Sequence, residues 1–251
     1  MTKKRARQDV IIREVSLHNR VLLRDLAETL DVSSDTVRRD IRELDERGLL
    51  KQVHGGAIAN GYRIKRPGRK KSVYAAGNKS IIAAKAVSLV RAGSVNLVSG
   101  GTTNLELMRQ LPNELEATFF TSSIPIALEL MSHPNIELIF LGGQVNAGAQ
   151  IALGGKTINA LAELRVENLF LGTGYLDSEF GLSEFDREIV ELKKAMIRSA
   201  RRVISLTISE KLETTNRYKV CDLSAIQVLV TELDPTDSAL DPYRLPSLQL
   251  L

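Results

Sequence analysis

Three arginines, Arg38, Arg39 and Arg42, stand close together beside Ser34, Asp35 and Thr36. A guanidinium bonds bidentately to a guanine edge or to a phosphate, and hydroxyls reach both phosphates and base edges. On a helix, at about 100° per residue, Ile41 and Leu44 fall within about 40° of Val37, whereas Asp35, Arg38, Arg39 and Arg42 lie about 100–160° away from it. One face is apolar and the opposite face carries the guanidiniums. Taken alone, such a surface also suits a solvated charged face, balanced by Asp40, Glu43, Asp45 and Glu46. The elements around it favour contact with a polyanion. Leu22, Leu23, Leu26 and Leu30 mark one apolar-periodic helix, Asp31-Val32-Ser33 a turn, and Ser33 or Ser34 the start of a second helix. This is a helix-turn-helix pattern. Ser34, Thr36, Arg38 and Arg39 are expected at the groove of double-stranded DNA and its flanking phosphates. Arg42, Gln52 and His54 are expected at the backbone. A first helix over 7–18 turns Val10, Ile11 and Val15 inward. After Gly48, the runs 49–53 and 54–58 around a Gly pair predict a hairpin, or wing. His54 has no second ligand at metal-binding spacing.

A second set of residues suits anion binding. It sits in a region of alternating helices and strands. Helices are predicted at 78–91, 104–111, 124–132, 156–164 and 187–200. Strands are predicted at 95–98, 118–121, 137–141, 168–171, 203–206 and 227–231. That alternation predicts a Rossmann-like α/β domain with a mainly parallel sheet. Four predicted strands end in small polar residues: Ser99-Gly100-Gly101-Thr102-Thr103, Thr121-Ser122-Ser123, Gly142-Gly143 and Gly172-Thr173-Gly174. Carboxyl ends of parallel strands share one edge, where ligands usually bind. Glycine admits a ligand to the backbone, and hydroxyls and free N–H groups suit phosphate. Lys211 could add positive charge. Gly101, Thr102, Thr103, Ser122, Ser123, Gly142, Gly143, Gly172 and Lys211 are therefore the candidate effector residues. Carboxylates at Asp177, Glu184, Asp186, Glu188 and Glu191 could instead supply the base of a phosphosugar isomerase, or simply favour a helix start. GxSxG, GxxxxGK[ST] and GxGxxG are missing, which disfavours hydrolase, P-loop and dinucleotide readings.

Charge is unevenly placed along the 251 residues. Residues 1–71 hold 18 Lys/Arg against 10 Asp/Glu, a net of +8, and residues 72–251 hold 16 against 20, a net of −4, giving the chain's +4. A basic module joined to a mildly acidic body points to a polyanion partner for the first part only. The predicted division is a winged helix-turn-helix at 1–59, a linker at 60–77 with six Lys/Arg, and the α/β domain at 78–251 with an irregular tail from Leu233. MTKKRARQDV has no apolar run after its charges, so no signal peptide is expected, and no segment suits a membrane span. The chain is expected in the cytoplasm. Its one cysteine, Cys221, sits in an apolar context and suits a core position. No metal and no cofactor are expected.

Residues 7–58 resemble the winged helix-turn-helix of the DeoR family of bacterial transcription regulators, through LAETLDVSSDTVRRDIRELDERGLL together with VHGGA at 53–57. Residues 78–232 resemble that family's effector domain, which is related to sugar-phosphate isomerases. The resemblance implies a repressor of a carbohydrate-metabolism operon, released from DNA by a phosphorylated sugar or related metabolite. It also fits a homo-oligomer, since paired modules must match half-sites. Positions matching the family are Lys79, Gly101-Thr102-Thr103, Thr121, Ser123, Gly142-Gly143, Gly172 and Lys211. Departures are Ser99 and Ile208 where Asp is common, Ser122 where Asn is common, and Tyr175 where Gly is frequent. An isomerase with a DNA-binding appendage is the alternative; a dinucleotide-binding redox sensor lacks its glycine motif.

Overall fold

The computed structural model describes residues 3–18, 20–59 and 73–251. The chain divides into two compact units, Met1–Tyr74 and Ala75–Leu251. Most of the predicted linker, residues 60–72, lies outside the described residues.

The first unit runs α1 (Lys3–His18), β1 (Arg20–Leu22), α2 (Leu23–Thr29), α3 (Ser34–Glu46), β2 (Leu50–Val53) and β3 (Gly56–Ala59). Ile11, Val15, Leu26, Val37, Ile41, Leu44, Leu50 and Ala57 form its core. Ser33 caps α3, its Oγ accepting from Thr36 N at 3.3 Å. Gly48, at φ 70°, makes the turn after α3. The wing has three strands rather than two, in the order β1-β3-β2, all antiparallel. β1 escapes sequence reading because three residues show no alternation; its pairing comes from β3, with Val21 opposite Ala57. α1 also begins at Lys3, earlier than expected.

Asp40 corrects another expectation. It does not belong to a solvated charged face: it is 1% exposed. Its carboxylate accepts from Arg7 Nε and, at 3.4 Å, from Gln8 Nε2, both on α1. Gln8 also donates to Glu43, and Lys4 Nζ lies 2.7 Å from Glu43 Oε1. This polar seam fixes α3 against α1. Asp40→Ala leaves the Arg7 guanidinium without its carboxylate. A loss of about 1–3 kcal/mol is expected in denaturant unfolding of the first unit, with Asp40→Asn milder.

The second unit is built on seven parallel strands: β4 (Val95–Val98), β5 (Ala117–Thr121), β6 (Ile136–Phe140), β9 (Val166–Gly172), β12 (Ala200–Leu206), β14 (Val228–Val230) and β15 (Gln249–Leu250). Their order is β15-β14-β12-β9-β4-β5-β6. The central strands are nearly continuous apolar runs because helices cover both faces. Those helices are α4 (Ala76–Val87), α5 (Thr102–Arg109), α6 (Ile124–Leu130), α7 (Gly155–Ala162) and α8 (Arg187–Ser199). α4 takes in Ala76 and Gly77, which the sequence reading gave to the linker.

Several short strands were not foreseen. β7 (Gln144–Asn146) pairs with β8 (Ile151–Leu153), and β10 (Tyr175–Asp177) with β11 (Gly181–Glu184), which joins β13 (Tyr218–Cys221). Each is too short for a period and owes its conformation to packing. The tail is not wholly irregular either. Residues Ser238–Tyr243 form a 3-10 helix, and β15 pairs in parallel with β14. Tyr243 is fully buried, its hydroxyl donating to Leu176 O at 3.1 Å. Cys221 is half-buried, and burial pushes its thiol up to about 11. Among the described residues, no helix is long and apolar enough to cross a membrane.

Candidate functional site

In the first unit, packing of Val37, Ile41 and Leu44 turns the other side of α3 outward. Arg38, Arg39 and Arg42 are exposed, and Ser34 and Thr36 are half-buried at its first turn. Arg38 pairs with Asp35, and Thr36 Oγ1 lies 2.9 Å from Ser33 Oγ. Arg39 and Arg42 present their guanidiniums from the outer face. The wing is tied to the end of α3 through Asp45, which accepts from Lys51 Nζ at 2.7 Å and Gln52 N at 3.0 Å. His54 is exposed at the β2–β3 turn, which Leu23 N anchors at Gly55 O (2.8 Å). The half-buried Gln52 precedes it. The seven predicted residues thus fall on the helix and wing of one module.

In the second unit, the four loops gather at the carboxyl edge of the sheet. Side chains stitch them together. Gly172 N donates to Ser99 Oγ at 2.7 Å, and Ser99 N to Phe170 O at 3.0 Å, joining the first and fourth loops. Asn104 Nδ2 bridges Ser99 O and Phe170 O at 2.9 and 3.0 Å. Thr121 Oγ1 donates to Val98 O at 2.7 Å and accepts from Ser123 N. The β7–β8 hairpin folds back on the second loop: Ser123 bridges Ile151, and Ala152 N donates to Ser122 O. Gly142 O, in the third loop, accepts from Thr157 Oγ1 at 2.6 Å. Gly142 is half-buried and Gly143 exposed. Gly101, at φ 143°, lets the first loop turn straight into α5, where Thr102 is buried and Thr103 half-buried. A Cβ on Gly172 would overlap the Gly100 carbonyl. Gly172→Ala is therefore expected to part the first and fourth loops, at a cost of about 1–3 kcal/mol in thermal unfolding.

Charge is the site's main electrostatic feature. Lys79, Lys193 and Lys211 are each buried, from α4, α8 and the turn after β12. Lys211 Nζ donates to Thr173 O and Lys193 Nζ to Gly172 O, both at 2.6 Å. One buried carboxylate, Glu184, pairs with Lys193, whereas Glu210, whose charge acts on Lys79, is exposed. Burial holds Lys211 down to about 7, aided by Lys79 and Lys193 and opposed by Glu184. Burial likewise holds Lys79 down to about 8. Two hydroxyls, Ser122 Oγ and Ser123 Oγ, are buried with no partner, and Gln150 Oε1 on the hairpin is the same. A group offering several acceptor oxygens and negative charge would satisfy the two hydroxyls.

Sequence reasoning missed Lys193 as a site residue, since a lysine within a helix carries no local signal. The carboxylates near the fourth loop have separate local roles. Asp177 accepts from Glu179 N and Phe180 N, Asp186 caps α8, and Glu188 and Glu191 are exposed. The family departures have local roles. Ser99 joins two loops, Tyr175 opens β10, and Ile208 is buried before the 3-10 turn.

A DNA-reading module followed by a ligand-sensing α/β domain defines a metabolite-responsive transcription regulator. The DeoR-like helix-turn-helix domain matches residues 7–62, and the DeoR C terminal sensor domain matches residues 75–233. The chain belongs to the DeoR family. It is 30% identical to the HTH-type transcriptional repressor GlcR of Bacillus subtilis over 89% of this chain and 86% of that one. It is 26% identical to the glycerol-3-phosphate regulon repressor of Escherichia coli over 95% and 94%. Among solved structures, the translation initiation factor eIF-2B of Pyrococcus horikoshii OT3 is similar at a TM-score of 0.46 and 11% identity, over 92% of this chain and 88% of that one.

Proposed function

We propose that this regulator is a repressor of a carbohydrate-metabolism operon, that it acts in the cytoplasm as a homo-oligomer, and that a phosphorylated sugar or related metabolite releases it from DNA. Ser34, Thr36, Arg38 and Arg39 meet the groove and its flanking phosphates, while Arg42, Gln52 and His54 meet the backbone. The effector's phosphate lies among Gly101, Thr102, Thr103, Ser122, Ser123, Gly142, Gly143 and Gly172, facing Lys79 and Lys211. The observation that carries the effector reading is the excess of buried lysine over buried carboxylate at a strand-end edge that also holds two unpartnered hydroxyls. The names of the two relatives, both repressors, support the direction of control. An isomerase would need a carboxylate free to take a proton, and Glu184 is engaged by Lys193.

The test pairs two measurements on the full chain. Genomic fragments retained by the protein are sequenced to find the operator. Thermal unfolding is then followed against a panel of phosphorylated metabolites. A ligand at 100 times its Kd stabilises by about 2.7 kcal/mol, and the same compound is expected to release the operator. A compound that stabilises the protein and leaves the operator bound argues against release. No retained operator argues against the DNA reading, and a silent panel against the phosphorylated effector.

A further inference from the structure

β6 ends the seven-stranded sheet. β5 bonds it on one side, with Phe119 opposite Leu138, and no described strand lies on the other. An edge strand leaves a row of N–H and C=O groups unpaired, and proteins usually blunt such an edge with lysine, proline or a bulge. β6, Ile136-Glu137-Leu138-Ile139-Phe140, has none of these. Its one charge, Glu137, is occupied on the β5 side, where its carboxylate accepts from Thr118 Oγ1 at 2.9 Å. β6 and the elements flanking it carry exposed apolar side chains: Leu128 at 46%, Met131 at 72%, Phe140 at 41% and Val145 at 51%. Clustering of large exposed apolar groups along one stretch of chain marks an interaction surface. The opposite edge, β15, is only two residues long.

We propose that β6 is the interface between two copies of this chain, joined antiparallel about a two-fold axis at Leu138. Charge and register favour a second copy as the occupant. Pairing about Leu138 sets Ile136 opposite Phe140 and Glu137 opposite Ile139, so the two Glu137 carboxylates never face each other, whereas centring on Glu137 would oppose like charges. The strand is thus self-complementary, and the contact closes on itself. Joining β6 of one copy to β15 of another would pair two residues and leave open ends. This deepens the oligomer part of the proposed function, because two recognition modules must be held together to read paired half-sites.

Sedimentation of the full chain, across micromolar concentrations, tests it. The wild type is expected to be a dimer. Phe140→Lys combined with Met131→Lys is expected to halve the mass with the circular dichroism spectrum unchanged, since both side chains are exposed. Leu245→Lys, an exposed apolar site elsewhere, is expected to remain a dimer. Amide exchange gives a reading that needs no variant: protection of 136–140 is expected to fall on dilution of the wild type. A monomeric wild type overturns the proposal and the oligomer reading together. A double variant that stays dimeric, or exchange at 136–140 that ignores dilution, overturns the β6 interface and leaves oligomerisation standing.

Discussion

Arg39→Ala is expected to weaken binding to the selected operator by about ten- to a hundredfold, and to lower preference over unrelated DNA. Arg39 is exposed on α3, opposite the stripe formed by Val37, Ile41 and Leu44, which are fully buried. Removing its side chain takes one guanidinium from the outer face of α3 without touching the core. A good bidentate base contact discriminates by about 1–3 kcal/mol, and tenfold corresponds to about 1.4 kcal/mol. Salt separates the two kinds of contact. Each phosphate neutralised contributes about 0.9 to the slope of log affinity against log salt. Arg42→Ala, at a position proposed to meet the DNA backbone, should reduce that slope by about one unit and weaken all sequences alike. Arg39→Ala should change the specificity ratio more than the slope. Unchanged operator affinity in Arg39→Ala removes this residue from recognition. Fluorescence anisotropy at several salt concentrations measures both quantities.

Lys211→Met is expected to abolish stabilisation by the effector, and to flatten the dependence of stability on pH. Lys211 is buried beside Lys79 and Lys193, and its amine is held down to about 7 against an ordinary 10.5. Lys79 is held down to about 8. The sign follows from proton counts. Between about 7 and 10.5 the unfolded chain keeps protons that the folded chain has shed, so stability rises with pH across that window. Below about 7 both states are protonated, and the cost of burying the ammoniums is fully present. A phosphate dianion placed among these lysines favours their charged forms, so binding takes up protons. Effector affinity should therefore be highest near neutral pH, above the second ionisation of a phosphate monoester at about 6, and decline as pH passes about 8, where Lys79 also gives up its proton in the free protein. In Lys211→Met the thermal shift of about 2.7 kcal/mol at saturating ligand should vanish. Persistence of that shift, with the same pH profile, places the anion elsewhere.

The helix-turn-helix is legible because its signals are local. Ser33 caps, Val37, Ile41 and Leu44 repeat on one face, and the arginines take the other. The four loops are legible for a similar reason: glycines and hydroxyls follow short apolar strands. Asp40 shows where locality ends. Its surroundings read as surface charge, yet Arg7 and Gln8 on another helix receive it in the core. Lys193 and Glu184 lie nine residues apart on different elements and meet only because α8 packs against β11.

Residue order by itself determined the two modules, the guanidinium face of α3 and the small polar loops after the strands, since caps, turns and helical periodicity act over a few residues. Only the tertiary structure decided which charges are buried. It brought three lysines and one glutamate from four separate elements to one sheet edge, and left β6 as an outer strand with no described strand on its free side. Burial and strand pairing depend on partners tens of residues away, and those partners are fixed by packing.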